Sequence, residues 1–186
     1  MSIASVVRNR RSIHHYNDKP VERELILRLL DDAVWAPNHG MREPWRFIYA
    51  DGNGKKRLVD GLIEIVMKTL KFKAMSDEQR EKFKTHAHSV PAYLIVVMPE
   101  DARPAIWEED LAAVSSLIQN FQLLAWEEGI GMLWHTGDYI YNKDFRELAG
   151  VQPGEKIVGV LRLGYFDETP AARPRTPAKE LFTVLE

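Results

Sequence analysis

Three arginines, Arg8, Arg10 and Arg11, precede Ser12 at the point where a first short helix would end and the chain turn. Guanidinium forks grip phosphate oxygens in bidentate fashion and a hydroxyl adds a further bond. The grouping therefore suits a phosphate, each charge-assisted bond contributing roughly 1.5–3 kcal/mol. It reads equally as a solvated basic helix end favoured by the helix dipole. Ala36, Pro37, Asn38 and His39 form a breaker-rich loop between a helix and a strand, where a rigid scaffold can present binding groups. Asn38 offers both a donor and an acceptor, which suits the edge of a heterocycle; a plain turn is the alternative. A third group lies in GIGMLWHTGD, where Trp134, His135, Thr136 and Gly137 put an aromatic plane and several polar groups at a strand end. The glycines here do not make a dinucleotide-binding turn, which needs a third glycine between a strand and a helix; Gly129 and Gly131 follow a helix instead. Gly129 reads as a helix stop.

Other chemistries lack their residues. The histidines His14, His15, His39, His86, His88 and His135 show no metal constellation, because His86 and His88 have no third ligand nearby. There is no cysteine, and no GxSxG, P-loop or HExxH motif. With no candidate nucleophile, a cofactor that brings its own reactivity fits better than side-chain catalysis. The balance of 25 basic against 27 acidic side chains, a formal charge of -2, leaves no electrostatic footprint for nucleic acid or an anionic membrane. A small molecule or another protein is the expected partner. The lack of cysteine fits a reducing compartment, and no run of signal-peptide or membrane-spanning length occurs, so the cytoplasm is the expected location.

The elements that must position these groups follow from periodicity. Residues 2–10 are weakly helical, and Leu25, Leu29, Leu30, Ala33 and Val34 mark an amphipathic helix from Val21 that stops before Pro37. WRFIYA at 45–50 reads as a strand ending at the turn signal 51–54, with a helix from about Lys55. Ser76 with Gln79 is a capping-box pattern opening a second helix toward His88. YLIVVM at 93–98 is a continuous apolar run, hence a strand covered on both faces at a sheet centre. The longest helical candidate spans 108–128, with Leu111, Val114, Leu117, Ile118, Phe121, Leu124 and Ala125 on one stripe and little wet circumference; it belongs in a core or a subunit interface. A strand at 131–136, a short helix at 142–149 and a strand at 156–165 follow. PAARPRTP in the tail is rich in proline and arginine and should lie along a surface as an extended arm. At 186 residues and 45% hydrophobic content the chain suits one domain over 1–186, with an arm from about 167 to 186. The fold class is α+β or α/β, helices sandwiching a sheet.

These segments resemble the nitroreductase family along nearly the whole chain. RNRRSIHHYNDKPV looks like the family's opening RRSIRxF segment, and WAPNHGMREPWRF is similar to its second segment in the APNH form of some small members. QNFQLLAWEEGIGMLW resembles the central helix and glycine turn, and VGVLRLGYF followed by RPR resembles the closing strand and arm. The resemblance implies an α+β sandwich with a central, mostly antiparallel sheet flanked by helices, and a homodimer binding FMN in its interface. Arg10, Arg11 and Ser12 would hold the phosphate and ribityl chain, with Arg173 or Arg175 of the arm closing on the same phosphate. Pro37, Asn38 and His39 would face the flavin bound mainly by the other subunit, and Trp134, His135 and Thr136 would line its ring, a backbone N–H there serving N5. The short helices between 55 and 88 would form much of a substrate lid.

The activity implied is electron transfer from NADH or NADPH through FMN to nitroaromatics, quinones or another small acceptor by a ping-pong route, with no catalytic side chain required. The same fold also carries dehalogenation, dehydrogenation and flavin degradation, and a flavin-binding dimer without turnover is the remaining alternative. Arg42 and Arg46 could help form a 2′-phosphate pocket or equally be surface charges. Two departures stand out: Met41 and Glu43 replace the more usual Asn and Gln, and His14 stands where many relatives have Arg or Lys near flavin N1 and C2=O. A histidine stabilises an anionic reduced flavin only when protonated or through a hydrogen bond. His14→Ala is therefore expected to change how the flavin's potential depends on pH. Spectroelectrochemical titration at several pH values checks this, and an unchanged dependence removes His14 from the redox site.

Overall fold

The apolar run at 93–98 becomes β2 (Ala92–Pro99), buried along seven of its eight residues. Apolar side chains on both faces of the pleat need cover on both sides, and helices supply it. β2 pairs antiparallel with β1 (Arg46–Ala50) and with β4 (Glu155–Tyr165). β3 (Ile130–His135) pairs antiparallel with the other edge of β4, so the sheet runs β1-β2-β4-β3. On one face α2 (Arg23–Ala33) and α6 (Pro104–Glu127) pack over Leu94, Val96, Leu161 and Leu163. On the other, α3 (Gly52–Met67), α5 (Asp77–Ser89) and α7 (Lys143–Leu148) cover Tyr93, Ile95, Val97 and Val160. α1 (Ile3–Asn9) lies against α6, and α4 (Leu70–Lys73) is one turn joining α3 to α5. This is the α+β sandwich anticipated from the sequence. The computed structural model describes residues 2–185; Met1 and Glu186, which the expected domain and arm include, lie outside the described residues.

Local chemistry accounts for the element boundaries. The capping box of α5 forms in both directions: the Gln79 N–H donates to Ser76 Oγ at 3.3 Å and the Ser76 N–H to Gln79 Oε1 at 2.9 Å. Along α6 the buried residues Ala113, Val114, Leu117, Ile118, Phe121 and Ala125 recur at spacings of three and four, which makes one helical stripe. That helix starts four residues before the expected Glu108. Pro104 occupies its first position, where a missing N–H leaves nothing unsatisfied. α3 likewise begins at Gly52, so the expected turn at 51–54 is its first turn; a φ of +47° at Gly52 lets the chain enter. Beyond β4 the chain is exposed throughout 167–185, and among the described residues this stretch contains a single short 3-10 turn, Ala178–Glu180.

Gly131 sets the most consequential contact of the sheet edge. A Cβ at this position would lie 2.3 Å from Ile13 Cγ1, 2.7 Å from Ile13 Cβ and 2.7 Å from Phe166 Cδ1. Its hydrogen side chain therefore allows residues 12–13 to lie directly on β3. Gly131→Ala is expected to destabilise the protein by about 1–3 kcal/mol through overpacking. A lowered urea midpoint with an unchanged slope would show this, whereas an unchanged midpoint would mean that the 12–13 segment moves aside freely.

Candidate functional site

β3 is the edge strand nearest the arginine segment, and the chain leaving α1 is tied to it. Ser12 forms a parallel bridge with Met132, and the Ile13 N–H donates to the Met132 carbonyl at 3.0 Å. Further on, the Tyr16 hydroxyl lies within hydrogen-bond reach of the Ile13 and Arg162 carbonyls (2.8 and 2.9 Å), and the Asn17 N–H donates to the Tyr165 carbonyl at 2.9 Å. Residues 10–17 are thus braced along the sheet edge. The structure brings the arginine–serine segment and the 134–136 strand end, expected from sequence to share a ligand, onto the same edge.

The two guanidiniums at the start of this segment are under-compensated. Arg10 is half-buried, its guanidinium making among the described residues only a long 3.4 Å contact to Gln122 Oε1, and burial followed by repulsion from Arg11 holds its pKa below the ordinary value. Arg11 Nη1 donates to the carbonyls of Arg8 and Arg10 at 2.6 and 2.8 Å, while its Nε is buried with no partner. No carboxylate pairs with either among the described residues. The exposed Ser12 hydroxyl follows directly. This donor set, two cations and a hydroxyl, fits a phosphate monoester.

At the strand end the alternation of the pleat divides the expected residues. Trp134 lies on the α2/α6 face, its Nε1–H donating to the Val158 carbonyl at 3.2 Å above Gly159. His135 lies on the opposite face, stacked on Tyr139 with ring centroids 5.4 Å apart and 14° between planes. The Gly137 N–H and the Tyr139 hydroxyl both reach His135 Nδ1, at 3.3 and 2.9 Å. An amide N–H can only donate, so Nδ1 is the acceptor and the ring proton sits on Nε2. Burial, and then Arg162, lower the His135 pKa, which favours this neutral form. Thr136 is exposed.

The remaining expected residues lie apart. The Asn38 side chain braces its own loop, Oδ1 accepting from the Glu43 N–H at 3.0 Å and Nδ2 reaching the Ala36 carbonyl at 3.4 Å, with Pro37 and His39 exposed beside it. Arg42 anchors this loop to buried Asp110 through a fork of 2.8 and 2.7 Å bonds. Since Arg10 meets α6 at Gln122, twelve residues farther on, the two groups attach about 18 Å apart along that helix. One chain does not bring them together. Arg173 and Arg175 lie on the exposed arm, where Arg175 Nη1 donates to the Arg173 and Pro174 carbonyls. Arg42 and Arg46 are held by carboxylates, Asp110 and Glu155 respectively.

Sequence reasoning missed Arg162, Tyr139 and His86. Arg162 is 8% exposed, its Nε has no partner, and it lines a cavity of about 500 Å3 together with His135 and Tyr139. His86 is packed edge-on to His15 at 5.7 Å, and burial, followed by Arg162, lowers its pKa. His88 instead meets Asp60 at 3.3 Å. The one legible signal was a single charge inside the apolar strand VGVLRLGYF. Among the described residues no cluster of histidine and carboxylates could hold a metal, and no helix is long and apolar enough to cross a membrane.

Known proteins are similar to this chain in sequence and fold. The family model described as "Nitroreductase family" matches residues 7–165. The Bacillus subtilis protein YfhC, provisionally assigned as an NAD(P)H nitroreductase, is 40% identical over 182 residues, covering 97% of this chain and 93% of its own. A nitroreductase-like family protein from Bacillus cereus has a crystal structure that superposes with a TM-score of 0.87 at 42% identity, covering 100% of this chain and 97% of that one. The FMN and NADPH-dependent nitroreductase NfnB from Sphigopyxis sp. strain HMH shares the fold, with a TM-score of 0.81 at 19% identity over the full length of both chains. The match spans both the arginine segment that leaves α1 and the β3 end that it lies against, and by that measure the chain belongs to the nitroreductase family.

Proposed function

We propose that the protein is an FMN-dependent oxidoreductase that passes electrons from NADH or NADPH to a small acceptor such as a nitroaromatic or a quinone, working as a homodimer. The observation that carries this reading is the under-compensated pair Arg10 and Arg11 beside exposed Ser12, held along the edge of β3. Such a cradle needs an anion, and the phosphate of FMN supplies one. The names of YfhC and NfnB support the donor and the cofactor. When bound, FMN supplies two-electron redox chemistry, taking hydride from a nicotinamide and delivering electrons to an acceptor.

The chain's own residues bind and orient. Arg10, Arg11 and Ser12 hold the phosphate, and the strand end at 134–136 with the Gly137 turn borders the ring. His135, with Nδ1 occupied by the Gly137 N–H and the Tyr139 hydroxyl, keeps its proton on Nε2 and remains available as a neutral donor. The homodimer rests on three observations. The Pro37, Asn38 and His39 loop lies about 18 Å along α6 from Arg10, so the two can share a ligand only across chains. Trp35 and Ile3 are 86% and 81% exposed, and a groove on α6 is lined by Leu123, Leu124 and Val6. The arm, finally, carries Arg173, Arg175, Leu181 and Phe182 in the open, and a partner would give them a surface.

Anaerobic addition of NADH or NADPH to the FMN-loaded protein is expected to bleach the flavin bands, and double-reciprocal plots with an acceptor should be parallel. Bound FMN that both nucleotides leave oxidised would reduce the protein to a flavin-binding dimer. Arg10→Ala is expected to raise the Kd for FMN about 10- to 100-fold, the loss of one charge-assisted phosphate contact of roughly 1.5–3 kcal/mol. Flavin fluorescence titration measures it, and an unchanged Kd would remove Arg10 from the phosphate site.

A further inference from the structure

On the α3/α5/α7 face of the sheet lies the cavity of about 500 Å3 that contains Arg162. Its walls are apolar and aromatic: Ile65, Val66, Phe72 and Phe83, the two phenylalanines meeting edge-on at 5.7 Å, with Tyr139 alongside. The volume is that of a small-molecule site. At its floor Arg162 is more than nine-tenths buried, and its Nε has no hydrogen-bond partner. No carboxylate pairs with it among the described residues. The groups that feel its charge are Tyr16, Tyr93, Tyr139, His86 and His135, none of them an anion at neutral pH. The Tyr93 hydroxyl donates to the Ala87 carbonyl at 2.7 Å and the Tyr16 hydroxyl is directed at backbone carbonyls. Lys71 and Asp138, both exposed, also line the cavity.

A buried cation without a counter-ion is unfavourable by several kcal/mol, and folding alone gives no reason to keep it. We propose that this cavity binds a small aromatic carboxylate, the ring lying among Phe72, Phe83 and Tyr139 and the carboxylate on the Arg162 guanidinium. His135 lines the cavity and also belongs to the strand end assigned above to the flavin, so a ligand of this class that carries a reducible nitro or quinone group is the electron acceptor of the proposed oxidoreductase, and the inference rests on that reading for this role. Selectivity then comes from charge as much as from ring size: a neutral isostere would leave the guanidinium buried and unpaired, which a binding site discriminates against strongly.

The test uses benzoate and benzamide, which share a ring and differ in charge. Isothermal titration of the FMN-loaded dimer is expected to show benzoate binding at least tenfold more tightly than benzamide. In Arg162→Met the ratio should fall to about one, and Arg162→Lys should keep part of it. Arg162→Met should also melt no lower than the unmodified protein, because it removes a buried unpaired charge, whereas a purely structural arginine would lower the melting temperature when lost. Arg162→Gln serves as the second neutral variant if the methionine variant does not fold. Equal binding of the two probes by the unmodified protein, or a benzoate preference that survives both neutral variants, overturns the proposal. The same samples separate it from the flavoenzyme reading. A protein that bleaches with NAD(P)H but shows no benzoate preference loses only this site, and one that prefers benzoate but takes up no FMN keeps the site and loses the oxidoreductase role.

Discussion

The packing of residues 12–13 onto β3 is the contact on which the site depends. A sheet edge offers unpaired amide and carbonyl groups, and here one of them, the Met132 carbonyl, is taken by the Ile13 N–H. The approach is close because Gly131 has no side chain. Arg10 and Arg11 directly precede the bridge and are placed by it, and Tyr16 and Asn17 fasten the downstream end to the last residues of β4. Downstream along β3 the same strand delivers His135 to one face and Trp134 to the other. A shift of one residue in this register would exchange those two side chains. The indole would then enter the cavity and the imidazole the core.

Two groups of arginines have different consequences. Arg23, Arg42 and Arg46 each meet a carboxylate of another segment, and they fasten those segments together. Arg10, Arg11 and Arg162 do not, and all three are at least partly buried. Paired surface charges add little stability, and unpaired buried ones subtract from it. The second group is therefore the one whose retention needs a ligand to explain it. The permanent charge of Arg162 also acts on its neighbours. It joins burial in lowering the pKa of His86 and His135, which favours the neutral form of these imidazoles.

What could be read from the sequence follows from the range of the signal. β2 was legible because both faces are buried and no residue in the run is polar; α5 was legible because its capping box is a four-residue pattern with its own geometry. The start of α6 was misplaced because Pro104 stands before the apolar stripe and a proline reads as a breaker until the first helical position is considered. Naming Trp134, His135 and Thr136 together placed the strand end but not the side chains, because the period of two sends Trp134 and His135 to opposite faces. The Arg162 cavity draws on positions 65, 72, 83, 139 and 162, from four separate elements and a turn. No local pattern connects them, and a lone arginine in a strand looks like one more outward-facing charge until the helices over it are in place.

The Pro37 to Glu43 loop shows how a strained element is held. Gly40, Met41 and Glu43 have φ values of +60°, +52° and +46°, and two of these are residues for which the left-handed region is unfavourable. Conformations of this kind cost of order 1–3 kcal/mol each and persist where surrounding contacts over-determine them. Two such contacts are present. Asn38 Oδ1 accepts from the Glu43 N–H, closing the loop, and the Arg42 fork on Asp110 fixes it to α6. Because the Asn38 side chain is occupied internally, the loop offers a second chain its exposed His39 and its backbone groups. A heterocycle reached across a dimer interface would meet a rigid edge whose shape is set by this chain alone.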